Sequence, residues 1–201
     1  MMSDMSRRQF AFAAFATAGT TLIPLPALAL TEARARALVD RVVADINGAI
    51  DSAGSQSAMI RQFERIFNRY ADVRIIARST LGADARRVSG AQMRAYTDAF
   101  RGYVARKYGK RFDEFRGGRI EVNSVREVKS WHEVRSTVYL PGQSPFEVRF
   151  LVSDRSGQDK FFDMVIEGIS LRLSEREEIG AMLDRRNGNI DALIQDLRNA
   201  G

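Results

Sequence analysis

The chain is poor in the residues that proteins use for cross-links and for acid–base catalysis. Its 201 residues include no cysteine, one histidine and one tryptophan. The absence of cysteine excludes disulfides, thiolate metal ligands and cysteine nucleophiles. The histidine, His132, follows Trp131 on a predicted strand, where a surface or strand-pairing role is expected, and no serine stands in a Gly-x-Ser-x-Gly motif. The composition therefore favours a protein that is not an enzyme and that holds no metal or organic cofactor.

A hydrophobic run long enough to cross a bilayer, whose hydrocarbon core is about 30 Å thick, is also missing. The apolar stretch at residues 11–23 follows Arg7-Arg8-Gln9-Phe10 and precedes Ala27-Leu28-Ala29. Paired arginines, a short apolar run and a small-x-small motif are typical of a cleaved export signal of the twin-arginine (Tat) type, with an ordinary Sec signal as the alternative. We expect residues 1–29 to be this signal, and residues 30–201 to form one domain in the periplasm.

The chain carries a formal net charge of +6, which removal of the signal lowers by one unit. A positive excess favours anionic lipid head groups or an acidic protein partner. Nucleic acid is not expected, because an exported protein meets little of it. Five cations on one predicted helix form a basic run with three interpretations: a solvated face, a docking patch for an acidic partner, or a rim that attracts anionic phospholipid. They are Arg101, Arg106, Lys107, Lys110 and Arg111.

Apolar residues three or four positions apart predict helices in the first half of the chain. Residues 30–51 and 59–70 each carry such a stripe, and Asp72 is placed to cap a short third helix. Ser89 and Gln92 form a capping box, in which each side chain bonds the other residue's backbone N–H, at the start of a long fourth helix. Tyrosines on the apolar stripe of this helix need partners for their hydroxyls. The stripe is therefore either ordinary core or a wall for an amphipathic ligand.

After Gly117 the apolar period changes from helical to alternating, which predicts strands. Pro141-Gly142 is a turn, short connections predict an antiparallel meander, and the loss of alternation near Ser124 indicates a bulge. Ser174 and Asn189 are predicted to cap two later helices. The predicted fold class is α+β, with N-terminal helices, a four-stranded antiparallel meander sheet and C-terminal closing helices. The four predicted strands are residues 119–128, 131–140, 146–152 and 161–166.

The segment 161–171 joins the last predicted strand to the closing helices. Asp163 and Glu167 lie on one predicted face of it, four residues apart. They are either an acid–base pair in an enzyme-like cavity, or an aspartate that pairs with an arginine and a glutamate that fixes the turn. Glu175 and the glutamates after it are predicted in the first turn of a helix, where negative charge complements the dipole and no metal is needed.

Several motifs resemble those of one known family, in the same order along the chain. Residues 163–171 are similar to its strand-to-helix signature, and residues 188–197 to its closing helix. Ala77-Arg78-x-x-Leu81-Gly82 resembles its motif before the long helix, and residues 89–122 resemble that helix and the strand start after it. The chain thus resembles the MlaC / toluene-tolerance family of periplasmic phospholipid-binding proteins, including a sub-branch associated with hopanoid biosynthesis. It has Ala83-Asp84-Ala85-Arg86 where the family usually has a Tyr-Trp pair, so the shape of the cavity and the cargo are open.

The resemblance implies a carrier, the substrate-binding component of an ABC-type intermembrane lipid transport system that maintains outer-membrane lipid asymmetry. It implies phospholipid or a related membrane lipid as cargo, and as partners an inner-membrane ABC complex and an outer-membrane lipoprotein complex. It also implies a lipid cavity between the helices and the sheet. Predicted faces and the family together give a lining of Phe67, Ile75, Leu81, Phe100, Tyr103, Val104, Tyr108, Val148, Phe150, Val165 and Ile169. The alternatives are a small periplasmic enzyme that uses Asp163 as base, and a non-catalytic adaptor with a solid interior that binds an acidic partner.

Overall fold

A computed structural model of the chain describes residues 29–52 and 54–201. The export signal predicted for residues 1–29 lies, except for Ala29, outside the described residues. The helices are α1 (Glu32–Ser52), α2 (Gln56–Tyr70), α3 (Val73–Thr80), α4 (Gly90–Gly109), α5 (Leu171–Arg185) and α6 (Ile190–Asn199), with short 3-10 helices at Gly82–Arg86 and Phe112–Phe115. The strands are β1 (Arg119–Val128), β2 (Trp131–Tyr139), β3 (Phe146–Ser153), β4 (Lys160–Ile166) and β5 (Ile169–Ser170).

The strands form one antiparallel meander in chain order, which confirms the predicted fold class and adds a fifth strand. The register of β1 against β2 shifts between Val122 and Ser124, so the predicted bulge is confirmed. Glu167 and Gly168, with φ of 48° and 87°, form a two-residue turn between β4 and β5. Two positive φ values are what a tight hairpin turn needs. The sequence did not predict β5 because two residues are too few to show alternation.

Three predicted helix caps are confirmed by side-chain hydrogen bonds. Asp72 caps α3, Ser89 and Gln92 form the capping box of α4, and Asn189 caps α6. These caps satisfy backbone N–H groups that have no partner inside the helix. Local patterns sufficed here because each cap involves residues at most three positions apart.

The start of α5 differs from the prediction, because its cap is Ser170 and not Ser174. The Ser170 hydroxyl accepts from the Leu173 N–H at 3.1 Å and donates to Asp163 Oδ2 at 2.6 Å. Ser174 lies inside the helix and donates to the Ser170 carbonyl at 3.1 Å. The hydrogen bond that Ser170 donates to Asp163 on β4 fixes the cap at Ser170, and no pattern within the helix sequence contains that contact.

The apolar faces of the helices and the sheet meet in one core. α1 packs across β1 and β2, α4 packs against α2 and α6, and α5 packs on α3 and β4. Val134, Phe150 and Phe161 extend from the sheet into this core, where all three are buried. The hydroxyl of the buried Tyr96 on α4 is hydrogen-bonded to Thr80 Oγ1 at 2.7 Å. Among residues 29–52 and 54–201, no helix is both long and apolar enough to cross a membrane.

The opposite face of the sheet carries a buried carboxylate, Glu133, which is 5% exposed. It is ion-paired with Arg126 at 3.2 Å, Arg135 at 3.0 Å and Arg149 at 3.1 Å. Burial raises the pKa of Glu133, but hydrogen bonds from Arg135 and Arg149 and the charges of Arg149 and Arg126 outweigh burial. The pKa of this carboxyl is therefore below its usual range, and the ion pairs tie β1, β2 and β3 together on the outside.

The cations of the basic run each have a partner within the chain, so they are not a uniformly free basic patch. Two of them tie α4 to the C-terminal part of the chain through backbone carbonyl oxygens. The contacts are Arg101 with Glu64 and Asp98, Arg106 with the Leu197 and Ala200 carbonyls, Lys107 with Glu175 and Glu178, Lys110 with the Gly201 carbonyl, and Arg111 with Glu114. His132 is 5% exposed and pairs with Val152 of β3, so its role is strand pairing in a buried position and not a surface role.

Candidate functional site

A cavity of about 440 Å³ lies between the inner face of the sheet and the helices. Its wall comes from α1 to α4, the segment 111–115, strands β1 to β4 and the start of α5. All nine phenylalanines of the described residues contribute to this wall. A space of this size that is bounded mostly by aromatic and aliphatic side chains suits an apolar ligand.

The structure brings six of the eleven predicted lining residues to the cavity wall and places the other five elsewhere. The helix α4, whose stripe was predicted as either core or ligand wall, supplies three of the six. The six residues in the wall are Phe67, Phe100, Val104, Tyr108, Val148 and Phe150.

Val165 is outside the cavity wall because the side chains of β4 change face within the strand. The register of β3 against β4 shifts between Leu151 and Val152, which leaves Phe162 as an extra residue opposite them. An inserted residue reverses the alternation of side chains beyond it. Met164 and Ile166 therefore line the cavity, while Val165 pairs with Arg149 on the outer face.

The remaining four predicted lining residues are outside the wall for different reasons. Ile75 is half-buried beside the cavity wall residue Ile76, so the predicted position on α3 was one residue early. Leu81 is a buried residue at the end of α3. Tyr103 is buried with its hydroxyl on Glu178, as described below. Ile169 belongs to β5 and is 63% exposed.

Several wall residues were not among the predicted lining. Phe63 lies on the apolar stripe of α2, so the periodicity contained the signal for it. Phe112 and Phe115 come from the 3-10 helix after α4, where two phenylalanines three residues apart are the available signal. Arg172 and Glu175 on α5 were not predicted in the wall, because the predicted helix began later and its glutamates were explained by the helix dipole.

Four polar wall residues are exposed and mark where the cavity meets solvent. They are Arg111, Glu114, Gln143 and Glu167. Arg111 Nε and Glu114 Oε1 form an ion pair at 3.1 Å. The cavity wall is therefore mostly apolar, with exposed polar residues where it meets solvent and the buried carboxylates of Asp163 and Glu175 within it, which suits a ligand with one polar end.

A group of charged and phenolic side chains adjoins the cavity between α4 and α5. Glu175 belongs to the wall and is 3% exposed. Its Oε1 accepts from Tyr108 Oη at 2.5 Å and from Lys107 Nζ at 2.7 Å. Glu178 accepts from Lys107 Nζ at 2.5 Å and from Tyr103 Oη at 2.6 Å. One lysine and two tyrosines of α4 thus hold two glutamates of α5.

The pKa shifts in this group keep the donors of α4 protonated. Burial and the hydrogen bond to Glu175 raise the pKa of Tyr108, and burial with the hydrogen bond to Glu178 raises that of Tyr103. Burial lowers the pKa of Lys107, but its hydrogen bonds to both glutamates outweigh burial and leave the pKa raised. All three side chains therefore remain hydrogen-bond donors at neutral pH.

Asp163, the candidate base of the enzyme alternative, is occupied by structural hydrogen bonds. Its Oδ1 accepts from the backbone N–H groups of Met164 at 2.8 Å and Arg172 at 3.0 Å. Its Oδ2 accepts from Ser170 Oγ at 2.6 Å and lies 3.5 Å from Arg172 Nε. The carboxylate holds the β4–β5 hairpin against the start of α5. Within the described residues, no cluster of three or more potential metal ligands occurs.

The fold and the cavity define a class of protein: a single α+β unit whose helices and antiparallel sheet enclose an apolar space with a polar opening. The chain belongs to the MlaC family, because the sequence model of that family, described as MlaC protein, matches residues 36–199. This match confirms the family resemblance found in the motifs. Membership of the hopanoid-associated sub-branch stays a prediction.

A solved structure with a similar fold is a phospholipid-binding protein from Ralstonia solanacearum, determined in complex with a phospholipid. The two structures align with a TM-score of 0.71 at 20% sequence identity, over 82% of this chain and 95% of the other. At this identity the comparison establishes the shared fold.

Proposed function

We propose that this protein is a phospholipid carrier and not an enzyme. The observation that carries the proposal is the apolar cavity of about 440 Å³ beneath α4, with polar residues at its opening. The phospholipid in the Ralstonia solanacearum structure of the same fold supports it, as does membership of the MlaC family. A solid interior, which the adaptor alternative requires, does not agree with this cavity.

The volume of the cavity can be compared with the volume of an acyl chain. If a methylene takes about the volume of a water molecule, roughly 30 Å³, the space holds on the order of 15 methylenes, about one acyl chain. Each buried methylene contributes about 0.8 kcal/mol, so filling the space contributes on the order of 12 kcal/mol before the costs of ordering the lipid. The second chain of a two-chain lipid would extend beyond this space unless the walls move outwards on loading.

We propose further that the carrier is the substrate-binding component of an ABC-type system and that it works in the periplasm. It would exchange phospholipid with an inner-membrane ABC complex and an outer-membrane lipoprotein complex, and so maintain the lipid asymmetry of the outer membrane. Exposing two acyl chains to water costs on the order of 20 kcal/mol. Lipid that crosses an aqueous compartment therefore needs a closed apolar container.

The experiment for the carrier is purification of the chain from bacterial cells without detergent, followed by native mass spectrometry and solvent extraction. We expect one phospholipid per protein. The delipidated protein should also move labelled phospholipid from donor to acceptor vesicles. A protein that is isolated empty and takes up no lipid from vesicles contradicts the proposal.

The experiment for export is replacement of Arg7 and Arg8 together by lysine. We expect the native chain in the periplasmic fraction and the lysine variant retained in the cytoplasm, because the Tat pathway needs the arginine pair. Unchanged export of the variant would assign the signal to the Sec pathway. A cytoplasmic native chain would contradict the periplasmic role itself.

A further inference from the structure

Two polar residues lie in the wall of the cavity on the first turns of α5. Arg172 and Glu175 are three residues apart, which places them on the same side of the helix. Each has a buried polar atom that forms no hydrogen bond within residues 29–52 and 54–201, namely Arg172 Nε and Glu175 Oε2. Buried polar atoms are normally paired, because an unpaired one loses its bonds to water without replacement.

The carboxylate of Glu175 is fixed so that one oxygen remains available. Lys107 and Tyr108 both donate to Oε1, which leaves Oε2 as an acceptor. Because the pKa values of Lys107 and Tyr108 are raised, both keep their protons at neutral pH and hold the carboxylate in this orientation. Glu175 can therefore accept a hydrogen bond from a ligand without losing a bond of its own.

The guanidinium of Arg172 has a free donor, Nε, because the nearby carboxylate of Asp163 is already occupied by other donors. Its Nε is 3.5 Å from Asp163 Oδ2, within ion-pairing distance but without a hydrogen bond. Asp163 already accepts from two backbone N–H groups and from the hydroxyl of Ser170. Guanidinium groups bind phosphate oxygens well, because their planar donors match the spacing of these oxygens.

Short stretches of chain link these two residues, or their hydrogen-bond partner, to exposed residues of the cavity wall. Tyr108, which holds Glu175, precedes the exposed Arg111 by three residues, about one turn of backbone. Glu167, also exposed at the opening, is five residues before Arg172. The polar head of a lipid whose chains fill the apolar interior would lie at this end.

On the basis of the carrier function proposed above, we infer that Arg172 and Glu175 form a head-group subsite for lipids that combine a phosphodiester with a hydrogen-bond donor. Arg172 binds a phosphate oxygen, and Glu175 Oε2 accepts from an ammonium N–H or a hydroxyl of the head group. Phosphatidylethanolamine and phosphatidylglycerol carry such donors. Phosphatidylcholine does not, because its quaternary ammonium has no N–H.

The test is a competition among lipids with identical acyl chains for the delipidated full chain, read by native mass spectrometry. Phosphatidylethanolamine, phosphatidylglycerol and phosphatidylcholine are offered in equal amounts, together with N,N-dimethyl-phosphatidylethanolamine. The dimethyl lipid is nearly as large as the choline lipid but keeps one N–H, so it separates donor chemistry from size. A hydrogen bond to a charged group corresponds to roughly 10- to 100-fold in affinity, and we expect that preference for the donor lipids over phosphatidylcholine.

The separate ethanolamine and glycerol arms show whether the donor is ammonium, hydroxyl or either. Equal uptake of phosphatidylcholine and phosphatidylethanolamine overturns the inference while leaving the carrier function intact. Absence of uptake of every lipid overturns the carrier function itself. Preference that follows size, with the dimethyl lipid behaving like the choline lipid, also overturns the inference.

A pair of variants locates the subsite. Glu175→Gln puts an amide NH2 in place of the free acceptor Oε2, or in place of Oε1, which accepts from both Lys107 and Tyr108. We expect the donor preference to fall to less than about 3-fold while lipid still loads. Glu178→Gln is the control, because Glu178 bonds the same Lys107 but lies outside the cavity wall, and it should keep the full preference. An unchanged preference in Glu175→Gln assigns the discrimination to other residues and contradicts the inference. Should Glu175→Gln fail to fold, the lipid series on the native chain still decides.

Discussion

Met164→Trp should prevent loading of the cavity without unfolding the protein. Met164 is half-buried on the inner face of β4, opposite Phe150, and forms part of the cavity wall. Tryptophan has about six more non-hydrogen atoms than methionine, and in the space beside β4 it displaces roughly four methylenes of cargo. At about 0.8 kcal/mol for each methylene, the lipid loses on the order of 3 kcal/mol. This loss corresponds to roughly two orders of magnitude in affinity.

The matched control is Leu151→Trp, which makes a similar change on the other face of the sheet. Leu151 is half-buried on β3, pairs with Glu133 and Asp163, and lies outside the cavity wall. Both variants are compared with the native chain for lipid content after purification and for equilibrium uptake from vesicles. Circular dichroism and thermal denaturation establish that each is folded.

The outcome separates the cavity from a general effect on the sheet. We expect Met164→Trp to be isolated nearly empty and Leu151→Trp to load normally. Normal loading of Met164→Trp would show that cargo does not enter this cavity, and the volume argument would fail. Equal impairment of both variants would assign the effect to distortion of the sheet.

Three further predictions concern the outer ion pairs, the cap of α5 and the acyl chains. Glu133→Gln should cost about 1–2 kcal/mol in the free energy of unfolding at pH 7. Because the folded-state pKa of Glu133 is lowered, its contribution is present above the unfolded-state pKa and is lost as the pH falls through the folded value. Urea denaturation at pH 7 and at about pH 3 should show the two chains converging in stability, and a constant difference would contradict the assignment. Ser170→Ala should lower the free energy of unfolding by about 1–2 kcal/mol, because it removes the cap and the bond to Asp163. Ser174→Ala, the control, should change it by less than about 0.5 kcal/mol. Equal losses in urea denaturation would refute this cap assignment. Removing two methylenes from a chain that lies inside the cavity should weaken binding by roughly 15-fold, and vesicle competition that shows no dependence on chain length would place the chains outside it.

Most of the fold was predictable because patterns among neighbouring residues identify its helices, strands and turns. Alternation gave the four long strands almost to the residue, and Pro141-Gly142 marked the turn between β2 and β3. The capping box at Ser89 is contained in four consecutive residues. The strand β5 was missed because it is formed by pairing with β4 through a two-residue turn, and its own two residues carry no pattern.

The cavity was only partly predictable because its wall depends on which face each side chain takes. On α4 the helical period put Phe100, Val104 and Tyr108 on one stripe, the family resemblance made that stripe part of the predicted lining, and all three lie in the wall. On β4 the extra residue at Phe162 reverses the faces, and an apolar-rich strand shows no sign of such an insertion. Because of this one bulge, Met164 and Ile166 line the cavity and Val165 does not.

The charged contacts between α4 and α5 beside the cavity were not predictable, because they join residues far apart in sequence. Lys107 and Glu175 are separated by 68 positions. The sequence placed Lys107 in a basic run with three interpretations and Glu175 in the first turn of a helix, and neither prediction contained a contact between them. A charged residue on a helix shows by itself neither whether it is buried nor which partner buries it. The pairing emerges only when α5 packs beside the end of α4.

In the proposed carrier, retention and selection of cargo depend on different parts of the cavity. The apolar interior contributes on the order of 12 kcal/mol, but it acts equally on every lipid with the same chains and cannot distinguish head groups. A pair of buried polar atoms contributes far less, yet its whole contribution depends on head-group chemistry. If Arg172 and Glu175 form the proposed head-group subsite, the protein holds acyl chains through buried apolar area and distinguishes head groups through hydrogen bonds. A carrier built this way can release its cargo when a membrane offers the chains an equally apolar environment, and it then has only the head-group contacts left to break.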